Sequence, residues 1–574
     1  MTARKRALKR EKENMAQPMR VVVIGGVAAG PKIAAKVARL RPDAEVTVVE
    51  KGEHISYAGC GLAYYIADVV REQKDLVATP AGAVRDPVFF QNVKNVTVRI
   101  RTEALEIDRQ SKRVRVRSLE DGREWWIAYD KLALATGARA IIPPIPGVNL
   151  RNVFVLKNVK DAAAIKQFLE KKKPEQGVIV GGGLIGIEMA EALVAKGVRV
   201  TMIEMLPQIL MPLDWEMAFQ VQKHMAAKGV QILTNTRADS LDGSDKVQAV
   251  VAGDRQIPAN LVVFAVGVVP EVRLAKEAGL EIGPTGAIRT DECLRTSDPD
   301  IYAAGDCAET THLITGQPVY CPLGSTANKQ GRIAAANICG DGERFPGVLG
   351  STICKVFDFT VGWTGLSERA ARTLRYDLVT CLVPAADKAH YYPGAKTIML
   401  KLVANRVTGR LLGVQAVGPG DAAKRLDVAA TAITAGMTVD QLSKLDLCYA
   451  PPYSAAMDNL ITAANVLENK IEGHLNGISP MDLKRRLDGG EPIVVLDVRT
   501  PAEYERGHLA GSTLIPLGAL RKRWGELARD KEIVVYCGSS LRAYEAALIL
   551  RGAGFENVCV LDGSIAMWPY ELVK

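Results

Sequence analysis

Two glycine-rich turns, each between an apolar strand and a helix, constrain this chain more than any other feature of its sequence. They lie in "RVVVIGGVAAGPKIAAKVARLRPDAEVTVVEK" (20–51) and "GVIVGGGLIGIEMAEALVAKGVRVTMIEM" (177–205). Each segment predicts a strand, a turn, a helix and a second strand that ends in an acid, Glu50 or Glu204. Glycines let the backbone approach a pyrophosphate at a helix N-terminus, and the acid accepts hydrogen bonds from a ribose diol. The sequence therefore predicts two dinucleotide-binding units.

The two turns match the G-x-G-x-x-G pattern to different degrees. The second matches it fully, at Gly181, Gly183 and Gly186, whereas Val27 replaces the middle glycine of the first. Alone, the first turn would fit a plain βαβ unit equally well. Its spacing from first glycine to acid, 25 residues, is however close to the 23 residues of the second unit, which favours the same role for both. No Arg or Lys follows Glu204, only Met205 and Leu206. This favours NADH over NADPH, because the carboxylate would repel the additional phosphate.

Length and composition predict a multidomain globular protein. A chain of 574 residues is too long for one core, and hydrophobic residues make up 48% of it. Apolar stretches such as "LVVFAVGVV" (261–269) are much shorter than the roughly 20 residues that cross a bilayer, and they fit buried parallel strands. We therefore expect no membrane partner.

The net charge of +9 raises the question of nucleic-acid binding. Residues 1–18 hold six Lys/Arg against two Glu and supply +4 of that charge. This tail fits a disordered basic terminus or a nucleic-acid arm, and we favour the first, with no nucleic-acid partner.

The ten cysteines are scattered singly from Cys60 to Cys559 without a CxxC pair. That pattern argues against a disulfide framework and a metal site, and the expected location is cytoplasmic.

Two further segments extend the pattern, "LALATGARAIIPPIPG" (132–147) and "TSDPDIYAAGDCAE" (296–309). With these four motifs in order, residues 19 to about 470 resemble the flavoproteins with two dinucleotide-binding domains, which include the pyridine nucleotide-disulfide oxidoreductases. The resemblance implies FAD in the first unit and NADH in the second, with Asp306 bonded to the ribityl-phosphate part of FAD. The predicted cofactor-binding residues are Gly25, Gly26, Val27, Ala28, Gly30, Glu50, Lys51, Thr136, Gly137, Gly305 and Asp306, with Gly181, Gly183, Gly186, Glu204 and Gly267.

A single cysteine, Cys60, stands in "ISYAGCGLAYYI" (55–66), just ahead of a predicted helix. Amides at a helix start favour a thiolate. The segment resembles that of the coenzyme A-disulfide reductases, with Ala63 where that family usually has proline. The resemblance implies a mixed disulfide between Cys60 and coenzyme A, so that the second sulfur belongs to a ligand. Electrons would then pass from NADH to FAD to this bond.

The first helix carries three basic residues at helical spacing, Lys32, Lys36 and Arg39. They fit either a solvated helix face or a site for the phosphates of coenzyme A. Arg39 and Ser56 fall at positions that the resembled family uses for substrate. We therefore predict Lys32, Lys36, Arg39 and Ser56 as substrate-binding residues.

"HYYPGAKTIMLKLV" and "LCYAPPYSAAMDNL" resemble the dimerisation domain of the same family. The resemblance implies a homodimer in which tyrosines reach the partner's active site, here Tyr391 and Tyr449. A phenol can donate a proton to a thiolate leaving group. Met457 stands where some coenzyme A-disulfide reductases have a lysine, which leaves the bound thiol open.

The last hundred residues resemble a rhodanese domain, through segments 494–518 and 532–568. Cys537 ends a predicted strand and opens the loop Cys-Gly-Ser-Ser-Leu-Arg, which closes at Arg542 before a helix. Successive amides of such a loop form an anion nest that suits a thiolate or persulfide. We predict Cys537 and Arg542 as catalytic, with Cys60, Tyr391 and Tyr449, whereas Asp497 and Arg499 fit a structural role.

The sequence thus predicts an α/β fold with two Rossmann-like domains, an α+β dimerisation domain and a C-terminal α/β rhodanese domain. The predicted boundaries are FAD-binding 19–148 and 262–343, NAD-binding 149–261, dimerisation 344–472 and rhodanese 473–574. The favoured function is NADH-dependent reduction of coenzyme A persulfide, polysulfide or coenzyme A disulfide, with sulfide released. Two alternatives remain: an NADH oxidase or peroxidase that cycles Cys60 through sulfenic acid, and a sulfur-relay or redox-sensing protein.

Overall fold

The structure is a computed structural model that describes residues 18–574. The predicted basic tail, except Pro18, lies outside the described residues. Contacts divide the chain into two compact units. The first holds residues 18–181, 188–200 and 238–348, and the second holds residues 182–187, 201–237 and 349–574.

Thirty strands and seventeen α-helices are formed by the described residues. The strands are β1 (Arg20–Ile24), β2 (Glu45–Val49), β3 (Thr97–Arg99), β4 (Thr102–Asp108), β5 (Arg113–Ser118), β6 (Glu124–Ala128), β7 (Lys131–Leu134), β8 (Ala138–Ala140), β9 (Val153–Val155), β10 (Gln176–Val180), β11 (Arg199–Ile203), β12 (Val230–Leu233), β13 (Ser240–Asp242), β14 (Ala249–Ala252), β15 (Arg255–Pro258), β16 (Leu261–Phe264), β17 (Val268–Pro270), β18 (Ile301–Ala303), β19 (Thr310–Thr311), β20 (Pro318–Val319), β21 (Thr352–Val356), β22 (Phe359–Gly365), β23 (Leu378–Ala386), β24 (Thr397–Asn405), β25 (Leu411–Gly418), β26 (Gly477–Ile478), β27 (Ile493–Asp497), β28 (Thr513–Leu514), β29 (Glu532–Tyr536) and β30 (Val558–Leu561).

The helices are α1 (Ala29–Leu40), α2 (Leu62–Ile66), α3 (Gln73–Val77), α4 (Pro87–Lys94), α5 (Val159–Lys172), α6 (Leu184–Ala195), α7 (Trp215–Ala227), α8 (Arg273–Glu277), α9 (Gly324–Ile338), α10 (Glu368–Thr373), α11 (Ala423–Thr434), α12 (Val439–Ser443), α13 (Asn459–Ile471), α14 (Pro480–Asp488), α15 (Pro501–Glu505), α16 (Leu517–Arg523) and α17 (Leu541–Gly552).

The first unit is built around a parallel sheet in the order β18-β7-β1-β2-β3. Alternate residues of β1 enter two separate apolar cores: Val21 and Val23 enter one, and Val22 and Ile24 enter the other. A parallel strand buried on both faces reads as a continuous apolar run, as this one does. Strands β9, β16 and β10 also pair in parallel in this unit. The predicted domain boundaries, including the one after residue 261, stay a prediction.

The second unit contains an antiparallel sheet, β21-β22-β25-β24-β23, and a parallel sheet, β26-β30-β29-β27-β28. Helices α11 and α13 pack on the antiparallel sheet, and α17 packs on β29 and β30. In β29, Ile533 and Val535 face one apolar core while Val534 and Tyr536 face another. The predicted fold class, with its α+β and rhodanese parts, is confirmed.

A buried cluster of charges lies beneath the antiparallel sheet. Lys401, 2% exposed in the middle of β24, places its Nζ 2.5 Å from Glu216, 2.6 Å from Glu368 and 3.1 Å from Asp214. Burial alone would lower the pKa of Lys401, but these three carboxylates outweigh it and raise the pKa. Lys401 therefore stays charged and ties α7, α10 and β24 together.

A second buried ion pair joins helix α13, which packs on the antiparallel sheet, to the residue that follows β30 of the parallel sheet. Lys470 of α13 donates to both carboxylate oxygens of Asp562 at 2.7 Å and to the carbonyl oxygen of Thr380 at 2.7 Å. Gly477 passes beside it, and a Cβ there would lie 2.5 Å from Lys470 Nζ. The rhodanese-like part is thus fastened to the dimerisation-like part through a desolvated contact.

Candidate active sites

The first glycine turn forms a tight backbone cradle. Gly25 has φ +106°, and a Cβ there would lie 2.0 Å from the carbonyl oxygen of Ala135. A Cβ on Gly30 would lie 1.8 Å from the oxygen of Gly25, so α1 can approach β1 only with glycine there. The cradle therefore excludes side chains at both positions.

Glu50 lies at the end of β2, where the sequence places it. Its carboxylate accepts hydrogen bonds from the amides of Gly26 and Gly52, both at 2.6 Å. Burial raises the pKa of Glu50, although these two hydrogen bonds act in the opposite direction. A cleft of about 190 Å³ opens here, lined by residues that include Gly25, Glu50, Lys51 and Thr136. The role of Glu50 toward the ribose of a bound dinucleotide stays a prediction.

The Gly-Asp motif lies in the same unit. The Gly305 amide donates to Gln330 at 2.8 Å, and Asp306 lies 3.3 Å from Lys157 Nζ. Beside Asp306, the hydroxyl of Tyr320 is buried without a hydrogen-bond partner among residues 18–574. An unpaired buried hydroxyl is costly unless a ligand satisfies it. The residues present thus fit FAD, and the chemistry it would supply is two-electron transfer between a nicotinamide and sulfur.

Gly137 and Gly267 both have positive φ, +71° and +107°. Thr136 Oγ1 donates to the carbonyl oxygen of Glu271 at 2.6 Å. Val27 and Ala28 lead into α1, and Lys51 pairs with Glu103 at 2.9 Å. Their roles toward a cofactor stay predictions.

The second glycine turn repeats the first in detail. Gly181 has φ +110°, and a Cβ there would lie 2.5 Å from the carbonyl oxygen of Ala265. In the second unit, Glu204 accepts from the amides of Gly182 at 2.7 Å and Leu206 at 2.9 Å. Glu50 and Glu204 thus each bind an amide of their own glycine turn and an amide two residues downstream. Gly183 has open space around its Cα, and Gly186 lies in the first turn of α6.

Cys60 is an exposed, free cysteine in a 3-10 turn, Gly59–Gly61, ahead of α2. All ten cysteines of the chain lie within the described residues and are free. A Cβ on Gly324, the first residue of α9, would lie 3.9 Å from Cys60 Sγ. The long helix that begins beside the sulfur is therefore α9, whereas α2 has only five residues.

The predicted effect of a backbone amide in favour of the Cys60 thiolate is present but is outweighed by burial. Surrounding protein atoms displace water from the sulfur even though the side chain is accessible, and this burial raises the pKa of the thiol. Glu188 and Asp306 raise the pKa further, and Lys157 opposes them. Burial also raises the pKa of Glu188, on α6, to about 7, with help from Glu191.

The influence of Lys157 and Glu188 on the pKa of the Cys60 thiol was not predicted from the sequence. A signal for Glu188 was present, since it is an acid inside the apolar run "LIGIEMA". Arg85 was also missed. It donates to Ser56 Oγ at 3.5 Å, and burial lowers the pKa of Arg85. Ser56 has φ +56°, a strained conformation often found at functional sites.

The three basic residues of α1 differ in their availability. Lys36 is paired with Glu343 at 3.5 Å. Lys32 and Arg39 have no ion-pair partner among residues 18–574. They, rather than Lys36, remain free to bind phosphate.

The predicted tyrosines come together in the second unit. Tyr391 and Tyr449 are exposed, and a hydrogen bond to Tyr391 raises the pKa of Tyr449. Tyr453 and Met457 are exposed on the same segment as Tyr449. The segment is anchored where Asp458, the N-cap of α13, binds buried Arg425 at 2.8 Å.

Cys537 directly follows β29 and opens the sulfur loop, residues 537–542. Its Sγ accepts from the amide of Ser540 at 3.2 Å, and the hydroxyl of Ser564 lies 3.8 Å away. Ser540 has φ +88°, which turns its amide toward the sulfur. The Arg542 guanidinium is bound to both carboxylate oxygens of Glu503, at 2.8 and 2.7 Å. Sequence reasoning missed Glu503.

Asp497 and Arg499 form a buried bidentate pair, which fits their expected structural role. Among the residues that the structure describes, no helix is long and apolar enough to cross a membrane. The same residues contain no group of three or more His, Cys, Asp or Glu side chains that could hold a metal ion.

Known proteins resemble nearly the whole chain. An NAD(P)H coenzyme A polysulfide/persulfide reductase of Pyrococcus horikoshii is 40% identical over 456 residues, which cover 79% of this chain and 99% of that protein. The solved structure of an NAD-dependent persulfide reductase from A. fulgidus has a TM-score of 0.92 and 46% identity, and covers 96% of this chain and 100% of its own. Reduced CoADR-RHD of Bacillus anthracis has a TM-score of 0.92 and 36% identity, covering 97% and 99%.

Family profiles match three successive segments of the chain. The pyridine nucleotide-disulphide oxidoreductase profile matches residues 19–331, more than half of the chain. The dimerisation-domain profile of the same family matches residues 351–461, and the rhodanese-like profile matches residues 479–570. The family uses FAD and NAD(P)H. The chain therefore belongs to the pyridine nucleotide-disulphide oxidoreductases and carries a C-terminal rhodanese-like domain.

Proposed function

We propose that this protein uses NADH and FAD to reduce sulfur–sulfur bonds of coenzyme A persulfide, polysulfide or coenzyme A disulfide, and that its rhodanese domain handles sulfane sulfur. The observation that carries the proposal is the exposed, unpaired thiol of Cys60 beside α9, in the unit that holds the first cradle. A reductase of this family with one redox cysteine needs its second sulfur from a substrate. The presence of a rhodanese-like domain in the same chain favours a substrate that carries sulfane sulfur.

In the proposed reaction, the Cys60 thiolate attacks the coenzyme A sulfur of the persulfide. A bond forms between Cys60 and that sulfur, the persulfide bond breaks, and its electron pair leaves as HS⁻. Cleavage of the mixed disulfide into the Cys60 thiolate and coenzyme A thiolate takes two electrons, which bound NADH and FAD would supply. Lys157 favours the thiolate, and Lys32 and Arg39 bind phosphates of coenzyme A.

The protein is proposed to act as a homodimer. The dimerisation domain and the exposed Tyr391–Tyr449 pair support this, because each phenol can donate a proton to a leaving thiolate of the partner's site. The ten free cysteines support a reducing, cytoplasmic location.

The test is NADH oxidation with sulfide detection, using coenzyme A persulfide, polysulfide, coenzyme A disulfide and oxygen as separate acceptors. We expect sulfide release that matches NADH consumption with the persulfide. Turnover with oxygen alone, and none with any sulfur acceptor, would instead support the NADH oxidase alternative.

Glu204 predicts a preference for NADH. Its buried carboxylate is held by the amides of Gly182 and Leu206, so it cannot turn away from a 2′-phosphate. We expect kcat/KM for NADH to exceed that for NADPH by about tenfold or more, since juxtaposed like charges are strongly unfavourable. Glu204→Gln should narrow the difference in kcat/KM between NADH and NADPH, because the neutral side chain no longer repels the phosphate; its one oxygen can accept from only one of the two backbone amides. Equal values in the unaltered protein would contradict this prediction.

A further inference from the structure

The sulfur loop carries one charged side chain, and that charge is compensated. Within residues 537–542 only Arg542 is charged. Both of its terminal nitrogens are bound by Glu503, in a bidentate pair of the kind that is strongest between arginine and a carboxylate. The guanidinium holds the pKa of Glu503 well below its usual range, so the pair is ionised at every working pH.

Glu503 is also fixed in place from its other side. Its Oε2 accepts from the amide of Thr500 at 3.0 Å and from the Thr500 hydroxyl at 2.9 Å, which forms the capping box of α15. An incoming anion therefore cannot displace the carboxylate from Arg542 by a simple rotation. The loop meets its substrate with amide donors and with one cation, Arg542, which interacts with Cys537 but whose charge is already compensated by Glu503.

The remaining exposed surface of the loop carries no charge, and its largest exposed side chain is apolar. Leu541 is 67% exposed, although it opens helix α17 beside the sulfur site. Gly538, Ser539 and Ser540 add no charge. An aliphatic carbon next to a persulfide, as in the thiol arm of coenzyme A, fits this surface, whereas a dianion gains nothing from it.

We propose that Glu503 is a specificity-determining residue that disfavours dianionic sulfur donors at Cys537 and leaves organic persulfides as the preferred donors. The inference rests on the proposed sulfur-carrying role of Cys537 and names the donor class for that site. With an organic persulfide, the Cys537 thiolate attacks the outer sulfur, the old sulfur–sulfur bond breaks, and the electron pair leaves on the organic thiolate. With thiosulfate the same attack releases sulfite, so both the donor and the leaving group are dianions near Glu503.

The test measures sulfur loading of Cys537 in the full-length FAD-bound protein, from coenzyme A persulfide and from thiosulfate, by mass spectrometry of the Cys537 peptide. Glu503→Gln removes the negative charge and frees the positive charge of Arg542. We expect its thiosulfate loading rate to rise about tenfold, the size expected for one unit charge a few ångströms away, with the persulfide rate changed much less. High salt should reduce the gain.

Three further variants separate charge from other effects. Glu526→Gln is the matched control, because Glu526 forms a similar bidentate pair with Arg523 on the surface of the same domain, and neither rate should change. Glu503→Gln with Arg542→Gln leaves the net charge unaltered and should give no thiosulfate gain, and its persulfide loading rate shows separately how far the loss of Arg542 itself slows the reaction. Leu541→Lys adds a cation at an exposed position without touching the pair and should raise thiosulfate loading, which keeps the proposal testable if Glu503→Gln misfolds.

An unchanged ratio of the two loading rates in Glu503→Gln and in Leu541→Lys would overturn the specificity proposal alone. If the unaltered Cys537 took sulfur from neither donor, the sulfur-carrying role and this proposal would both fail. Cys537→Ser should abolish loading at this position from both donors.

Discussion

Cys60→Ser is expected to lower NADH-driven reduction of coenzyme A persulfide or disulfide on the order of 10³-fold or more, the size seen when a covalent nucleophile is removed. A serine hydroxyl cannot form the mixed disulfide. FAD should remain bound, because the Gly25 cradle and the Glu50 contacts do not involve Cys60. Steady-state NADH oxidation and the flavin absorbance of the purified protein measure the two properties.

The matched control is Cys448→Ser, because Cys60 and Cys448 are the two exposed cysteines of the described chain. We expect that control to keep its turnover. Near-normal turnover in Cys60→Ser would mean that the redox centre lies elsewhere.

Lys401→Met should destabilise the second unit by about 3–5 kcal/mol, the usual cost of removing one partner from a buried ion pair. Asp214, Glu216 and Glu368 would be left desolvated around an apolar side chain. In calorimetry the affected transition should fall by about 10 °C. Lys444→Met, which breaks the exposed pair with Asp440, should leave the transition unchanged.

The same cluster predicts the direction of the pH dependence. The pKa of Lys401 is higher in the folded than in the unfolded protein. Its contribution to the free energy of unfolding is therefore fully present below its unfolded-state pKa and is lost only at strongly alkaline pH. The pKa of Glu368 is lowered despite burial, by Lys401. The contribution of Glu368 to the free energy of unfolding is therefore present above its unfolded-state pKa and is lost as pH falls through the acidic range. A transition temperature that did not fall at acid pH would contradict this assignment.

The local parts of both sites could be predicted from the sequence. The glycine turns, the acids at the strand ends and the Cys537 loop are set by short-range patterns, and the strands and helices follow them. The length of the helix after Cys60 could not be predicted: α2, which follows Cys60 in the sequence, has only five residues, and the long helix beside the sulfur is α9.

Contacts between distant segments were not predictable in the same way. Glu503 and Arg542 are 39 residues apart, and nothing in either segment indicates that one neutralises the other. Lys401 inside the apolar strand "TIMLKLVAN" signals a buried partner, but its three carboxylates come from residues far away in the sequence. Local patterns specify the position of a charge, whereas tertiary packing decides whether it is free.

The buried contact between Lys470 and Asp562 has a consequence for how this chain can be divided. Cutting the polypeptide after residue 472 would separate the Lys470 ammonium group from the Asp562 carboxylate. Each fragment would then carry an unpaired charged group that is buried in the intact chain. Asp562 lies two residues before Ser564, whose hydroxyl receives the Cys537 amide. The rhodanese-like domain is therefore not energetically independent of the helix α13 that precedes it, and its stability in isolation should be lower than in the intact chain.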